Sequence, residues 1–162
     1  MKKFVNHIDH VVWLSRLENL EKNIAEIEAV TDGNLLRCDR DDMKTVICVD
    51  WDAGLEVVAP MDEVTDFNRG LHERLESHGE GLLCAVYGVE DLEVHKAKLE
   101  AKGIYVGPLM EDSPDAPWLE KIILRERFAP EVAGSWMVLS QIDYHDNVVR
   151  FVDVRQTETV AS

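Results

Sequence analysis

The sequence lacks the features that mark a membrane, exported or nucleic-acid-binding protein. It has no run approaching the ~18 uncharged apolar residues that a membrane span needs, and its first residues, Met1 to His7, do not form the apolar segment of a signal peptide. Basic residues are also scarce, because 17 lysines and arginines stand against 32 acidic residues and leave a formal charge of -15. Such a field repels nucleic acid and anionic lipid. We therefore expect neither as a partner.

Cysteine is the next scarce residue. Cys38, Cys48 and Cys84 are an odd number at wide spacings, which favours neither a disulfide framework nor a Cys-x-x-Cys metal clip. Reduced thiols are typical of the cytoplasm, where we expect the protein to be located. A length of 162 residues with 46% hydrophobic content suits a single domain with one core.

Apolar periodicity divides the chain into two similar halves joined by a helix. The first half is predicted to contain a strand (6–15), a helix (17–30) and three strands (34–38, 44–49 and 54–59). A linking helix (62–77) follows, and then a strand (82–89), a helix (91–102) and three strands (104–109, 120–126 and 135–143). A further strand (148–154) is expected at an edge or in a dimer contact.

A short internal repeat supports this division. The run Leu17-Glu18-Asn19-Leu20-Glu21 returns as Val89-Glu90-Asp91-Leu92-Glu93 at the start of the second predicted helix. We predict an α+β domain in which two β-α-β-β-β repeats form a curved mixed sheet that encloses a cleft. Repeat one covers about 4–60, the linking helix about 62–78 and repeat two about 80–154. A concave site between repeats is where a small-molecule substrate would bind.

Three stretches carry a resemblance to a known superfamily. They are Ile8-Asp9-His10-Val11-Val12, Gly54-Leu55-Glu56-Val57-Val58-Ala59-Pro60, and the run from Leu71 through His78-Gly79-Glu80-Gly81-Leu82 to Leu92. Together with the repeat they resemble the vicinal oxygen chelate proteins, which include glyoxalases, epimerases and extradiol dioxygenases. The resemblance is to the methylmalonyl-CoA-epimerase-like branch, and it implies the glyoxalase-like fold and a homodimer.

The resemblance also implies a divalent metal ion (Zn, Co, Mn or Fe) in the cleft. Carried over, the ligand positions are His10, Glu56, Cys84 and Gln141, with Ser140 as the alternative to Gln141 if the last strand is shifted. Cys84 and Gln141 depart from the pattern, since His and Glu usually stand there, so a cleft without metal is also open. His10 could instead be a hydrogen-bonded histidine of the core, and Cys84 a small buried apolar residue.

Two carboxylates are candidates for proton transfer. Glu56 lies in an apolar strand, where an inward carboxylate is costly unless it is paired or metal-bound. Asp143 shares a strand face with Gln141 by period-two alternation and would face the cleft with it. The carboxylate that the epimerase-like branch carries on its third strand is missing, because that position falls at Ile47 or Cys48. Methylmalonyl-CoA itself is therefore not the expected substrate.

The sequence thus predicts an isomerase or epimerase that moves a proton next to a carbonyl of a small oxygenated molecule, with Glu56 and Asp143 as catalytic groups. Trp118, in a Pro-containing loop over the cleft, and Trp136 are expected to contact the substrate. A metal-free binding or resistance protein of the same fold is the alternative. An extradiol-type dioxygenase comes last, because only one histidine is suitably placed.

Overall fold

The computed structural model describes residues 1–148, which fold into eight strands and three α-helices. In chain order the elements are β1 (Ile8–Leu14), α1 (Leu20–Thr31), β2 (Leu36–Arg40), β3 (Thr45–Asp50), β4 (Leu55–Pro60), α2 (Arg69–His78), β5 (Gly81–Gly88), α3 (Leu92–Glu100), β6 (Leu109–Glu111), β7 (Ile122–Val132) and β8 (Ser135–Tyr144). Among these residues no helix is long and apolar enough to cross a bilayer.

The eight strands form one mixed sheet in the order β2-β3-β4-β1-β5-β8-β7-β6. In the first half β1 pairs in parallel with β4, and in the second half β5 pairs in parallel with β8. The halves join at the centre, where β1 and β5 are antiparallel. A pseudo-twofold axis between β1 and β5 therefore relates the two halves. The predicted α+β fold with a curved mixed sheet is confirmed.

Helices cover both faces of the sheet. Helices α1 and α3 pack on one face, with Leu20 and Leu92 almost fully buried beneath them. Helix α2 lies on the other, concave face, where Leu71 and Leu75 contact strand residues of both halves. A second cluster fills the opposite end of the concave face and is built around Trp51, Trp118 and Tyr144. The space between α2 and this cluster is where a site can form.

Helix α2 begins at Arg69, later than the predicted residue 62. The reason is a turn built by the side chain of Asn68, which is fully buried. Its amide oxygen accepts a hydrogen bond from Thr65 N at 2.7 Å, and its amide nitrogen donates to Lys44 O at 2.8 Å. A side chain that binds backbone groups in this way competes with helix formation.

The strand predicted at 104–109 is wrong in its extent, because only Leu109–Glu111 forms a strand there. Gly103 takes a positive φ of 76° after the helix, which turns the chain away from a strand conformation. Further along, Gly107 N donates a hydrogen bond to Phe128 O outside the regular strand pairing. Strand β7 is longer than the predicted 120–126 and reaches Val132. The predicted strand 148–154 lies outside the described residues except for Val148.

Candidate functional site

A small cavity of about 90 Å³ lies between the concave face and α2. Its wall is mainly aliphatic and aromatic, and the two halves of the sheet both contribute to it. The acidic side chains Glu56 and Glu126 reach it from β4 and β7, and Arg40 reaches it from β2. The other lining residues are Val12, Met43, Thr45, Ile47, Val58, Phe67, Leu71, Leu83, Cys84, Val86, Met110, Glu111, Leu124, Phe128 and Val138.

His10 lies behind one wall of this cavity with both ring nitrogens engaged. Its Nδ1 is 2.9 Å from Asp9 Oδ1, and its Nε2 is 2.9 Å from Glu56 Oε2. Burial of the ring opposes the charged form, but the hydrogen bonds to Asp9 and Glu56 outweigh it and raise the pKa of His10 to about 10. At neutral pH the imidazolium therefore donates to two carboxylates.

The Asp9 carboxylate is the inner anchor of this network. It is 2% exposed, and Tyr144 donates a hydrogen bond from its hydroxyl to Asp9 Oδ1 at 2.6 Å. Trp51 packs edge-on against the imidazole at 5.2 Å between ring centroids. Buried ionised groups persist only when they are paired and hydrogen-bonded, and the chain Tyr144–Asp9–His10–Glu56 meets that condition.

Unlike Glu56, which pairs with His10, Glu126 forms no ion pair within residues 1–148. Burial is the main cause that raises the pKa of Glu126, to about 8. The negative charges of Glu56, Asp9 and Asp112 also raise this pKa, whereas the positive charge of His10 lowers it. At neutral pH Glu126 is therefore mostly a neutral acid. Its Oε1 is shielded from solvent and has no hydrogen-bond partner among residues 1–148.

Ser140 stands beside Glu126. It is 0% exposed and lies directly opposite Glu126 in the antiparallel pairing of β7 with β8. Its side chain shares a strand face with Val138, which lines the cavity, and with Tyr144. Within the described part of the chain its Oγ makes no hydrogen bond.

The pseudo-twofold axis shows which residue of β5 corresponds to His10. Across the β1–β5 ladder His10 pairs with Val86, and Val12 pairs with Cys84. Rotation about the axis exchanges β1 with β5. It places Cys84 at the position of His10 and Val86 at the position of Val12. The expectation that Cys84 faces the cleft opposite His10 agrees with its place in the cavity wall.

The same axis identifies the counterpart of Glu56 in the last strand. Glu56 pairs with Val12 in the first half, and Val138 pairs with Val86 in the second. Val138, an aliphatic residue, thus occupies the position that the sequence analysis gave to Gln141 or Ser140. The register was misplaced because Ser140 and Gln141 are the only polar candidates near this point of an apolar strand.

Gln141 and Asp143 lie on the other face of β8, so the expectation that they face the cleft is wrong. The Gln141 side chain accepts a hydrogen bond from Leu92 N at 3.0 Å, at the start of α3. Asp143 forms an ion pair with Lys3 at 3.3 Å. The prediction that these two residues share a face was correct, and only the choice of face failed.

The two tryptophans expected at the substrate also lie away from the cavity. Trp118 is 3% exposed and packs in the cluster with Trp51, while its Nε1 donates to Asp112 Oδ1 at 2.7 Å. It closes the interior rather than presenting a surface. Trp136 lines a separate surface groove of about 320 Å³ whose wall includes Phe67 and Phe128, and these two also line the cavity.

The residues present do not fit the metal ion that the resemblance implied. Both nitrogens of His10 are bound within the protein, and burial raises the pKa of the Cys84 thiol, which favours the neutral form over the thiolate that binds metals. Val138 offers no donor atom. Among residues 1–148 no group of three or more His, Cys, Asp or Glu side chains is placed to hold an ion.

Glu126 is the residue that sequence analysis missed. The predicted strand ended there, so its side chain was assigned no face. The alternation Ile122, Leu124, Glu126, Phe128 is the signal that could have found it, because the intervening Arg125 and Arg127 mark the solvated face. A single carboxyl group on the apolar face of a strand is a candidate for a functional role.

Comparison with solved structures supports the fold. A methylmalonyl-CoA epimerase from Mycobacterium tuberculosis is 18% identical with a TM-score of 0.63, over 87% of this chain and 91% of that one. A variant of the Streptomyces coelicolor methylmalonyl-CoA epimerase bound to 2-nitronate-propionyl-CoA is 16% identical with a TM-score of 0.64, over 85% and 97%. A hypothetical protein from Bacillus halodurans is 12% identical with a TM-score of 0.67, over 87% and 97%.

These likenesses confirm the predicted glyoxalase-like fold for this chain. No protein-family model matches the sequence. The search of curated proteins found no match either.

Proposed function

We propose that the protein is an isomerase or epimerase that moves a proton on the carbon next to a carbonyl group. The observation that carries the proposal is the pairing of two unlike carboxyl groups in one small apolar cavity. Glu56 is held as a hydrogen-bond acceptor by His10, whereas Glu126 is kept neutral by burial. Carboxyl groups whose environments differ in this way divide the roles of base and acid between them.

Glu56 is the base in this reaction. Its carboxylate removes the proton from the carbon next to the carbonyl, so the C–H bond breaks, an O–H bond forms on Glu56, and the electron pair moves to the carbonyl oxygen. Asp9 balances the charge of His10, which leaves the negative charge of Glu56 for the reaction. His10 is a positioning residue that fixes the carboxylate through Nε2.

Glu126 is the acid that meets the developing charge. In its neutral form it donates a hydrogen bond toward the oxygen on which negative charge grows, and it does so inside a cavity where such bonds are stronger than in water. Glu56 then returns the proton to carbon. Inversion to an epimer requires that the planar enolate turn in the cavity, so that Glu56 delivers the proton to its opposite face. Delivery to the far carbon of a conjugated enolate makes an isomer.

The cavity limits the reacting part of the substrate to a small group. Its 90 Å³ is less than the roughly 150 Å³ of a cavity that admits benzene. The rest of the molecule would lie in the adjoining groove beside Trp136, where Asp66 and Glu131 contribute two carboxylates. We therefore propose a substrate whose remainder is neutral or cationic, and we do not propose a CoA thioester.

Deuterium exchange tests this function without knowledge of the full substrate. A panel of small ketones and esters is incubated with the protein in deuterated buffer, and loss of the hydrogen next to the carbonyl is followed by proton NMR. We expect exchange with at least one panel member and a fall of about 10² or more in the Glu56→Gln variant, since a positioned base contributes roughly that factor. Asp143→Asn is the matched control, because this carboxylate lies on the other face of the sheet.

Exchange that survives Glu56→Gln, or that is lost equally in Asp143→Asn, would rule out Glu56 as the base. Absence of exchange across the panel, combined with saturable binding, would favour the second candidate, a metal-free binding protein. The continuous apolar wall favours that candidate, because Phe67, Leu71 and Phe128 line both the cavity and the groove. Quenching of Trp136 fluorescence would report such binding.

A further inference from the structure

Four buried side-chain polar atoms have no hydrogen-bond partner in the part of the chain that the structure describes, namely Trp51 Nε1, Asp112 Oδ2, Glu126 Oε1 and Ser140 Oγ. The last two lie side by side on the concave face. Their residues are directly opposite in the β7–β8 ladder, so their Cβ atoms are about 4.5–5.5 Å apart and project to the same face. Folded proteins leave few buried polar groups unpaired. Two such groups side by side indicate a shared partner that the protein itself does not supply.

We propose that Glu126 and Ser140 form a subsite for a single oxygen atom of the substrate, namely the carbonyl oxygen that becomes the enolate oxygen. The inference rests on the proposed function for the enolate and adds Ser140 as a second donor. The Ser140 hydroxyl gives one hydrogen bond and the Glu126 carboxylic acid gives the other. Both side chains keep their protons throughout, because the proton that moves is the one that Glu56 removes from carbon.

The protonation of Glu126 decides which kind of atom fits. Glu56, Asp9 and Asp112 are anionic groups that raise its pKa, and His10 is a cationic group that lowers it; Arg40 and Glu111 also line the cavity. Burial and these anionic groups together outweigh His10 and raise the pKa of Glu126 to about 8. A neutral acid beside a hydroxyl presents two O–H donors that can converge on an acceptor. A carbonyl or enolate oxygen is such an acceptor, and a metal ion is not.

The position of the subsite suits the base. Glu126 and Glu56 both line the cavity, one from each half of the sheet. An oxygen bound at Glu126 therefore leaves the adjacent carbon within the cavity that Glu56 also lines. Titration with an enolate mimic separates a site for water only from a site for a substrate oxygen.

The probe is nitroethane nitronate, a planar anion small enough for the cavity, titrated at pH 7 while amide shifts are followed by NMR. We expect saturable binding to the wild type and about 10-fold weaker binding to Ser140→Ala, the loss typical of one hydrogen bond to a charged group. Ser135→Ala is the matched control, because this serine is exposed at the other end of β8. It should bind as the wild type does.

A purely structural role for Ser140 makes the opposite prediction for stability. Removing a buried hydroxyl that has no partner should leave the urea midpoint unchanged or slightly higher, whereas removing a structural hydrogen bond should lower it. Glu126→Gln gives a second check, since its amide is a permanent neutral donor. It should bind the nitronate within a few-fold of the wild type at pH 7 and keep binding above pH 8, where the wild type weakens.

Unchanged nitronate affinity in Ser140→Ala would overturn the proposal and indicate a site for water only. An equal loss in Ser135→Ala, or no saturable binding to the wild type, would overturn it as well. Binding is measured without turnover, so the two proposals can fail separately. Ser140-dependent binding without any deuterium exchange would refute the isomerase and keep the subsite. Exchange with Ser140-independent binding would refute the subsite alone.

Discussion

The buried network around His10 gives the sharpest stability prediction, through the variant Asp9→Asn. The Asp9 side chain is 1% exposed and accepts hydrogen bonds from His10 at 2.9 Å and from Tyr144 at 2.6 Å. Removing one partner of a buried charge pair destabilises a protein by about 3–5 kcal/mol. Asparagine keeps the volume and one acceptor, so we expect a loss near 3 kcal/mol. If the free energy of unfolding falls by about 2 kcal/mol per molar urea, the urea midpoint of unfolding should fall by about 1.5 M.

The control is again Asp143→Asn. Its ion pair with Lys3 is partly exposed, with side chains 22% and 30% accessible, and such pairs contribute about 0–1 kcal/mol. Urea unfolding at pH 7, followed by tryptophan fluorescence, compares the two variants directly. Equal losses in both, or a loss below about 1 kcal/mol for Asp9→Asn, would show that the network does not hold His10 as an imidazolium.

The pH dependence of stability provides a second readout of the same network. The pKa of His10 is raised from 6.5 to about 10, so its contribution is fully present below pH 6.5 and is lost as the pH rises through 10. The pKa of Glu126 is raised from 4.5 to about 8, so the stability linked to its neutral form is fully present below pH 4.5 and is lost as the pH rises through 8. Wild-type stability should therefore fall between pH 6.5 and 10, most steeply below pH 8, where both losses overlap. Asp9→Asn should show a shallower fall.

Three further outcomes follow from the geometry. Exchange by the wild type should decline above pH 8 as Glu126 loses its proton, and Glu126→Gln should abolish that decline in a pH–rate profile. Gly88→Ala should lower the melting temperature, by a loss of at least 2 kcal/mol or so, because the new Cβ would lie 1.7 Å from the Phe4 carbonyl oxygen. Cys84→His combined with Val138→Glu should create a Co²⁺ site visible by absorption spectroscopy. Stoichiometric Co²⁺ binding by the wild type would refute the conclusion that its residues do not fit a metal ion.

The fold could be predicted from the sequence because its signals are local and repeated. Strand and helix periodicities recur in both halves, and the short repeat marks the start of the predicted helix in each. A local signal also singled out Glu56, since a carboxylate between apolar strand residues must find a buried partner. In the structure that partner is His10.

The remaining site residues could not be placed, because they depend on strand register and on tertiary contacts. A shift of one residue in β8 moves every side chain to the other face, which is why Gln141 and Asp143 were assigned to the cleft and Ser140 only as an alternative. Glu126 was missed because the predicted strand ended at this residue, although the alternation of Leu124, Glu126 and Phe128 continues and β7 reaches Val132. Its neutral form arises from burial among distant carboxylates, and no local pattern encodes that.

The arrangement of donors also constrains the chemistry of the substrate. His10 is engaged by Asp9 and Glu56 and Arg40 by Asp42, so in the proposed reaction the developing enolate is stabilised by hydrogen bonds from Glu126 and Ser140. Each hydrogen bond to a charged group supplies about 1.5–3 kcal/mol, or roughly 3–6 kcal/mol for the pair. That gain is enough only for a carbon whose proton is already acidic. We therefore expect ketones, or carbons flanked by two carbonyl groups, to exchange faster than simple esters, and a panel ranked by the acidity of that proton would show this order.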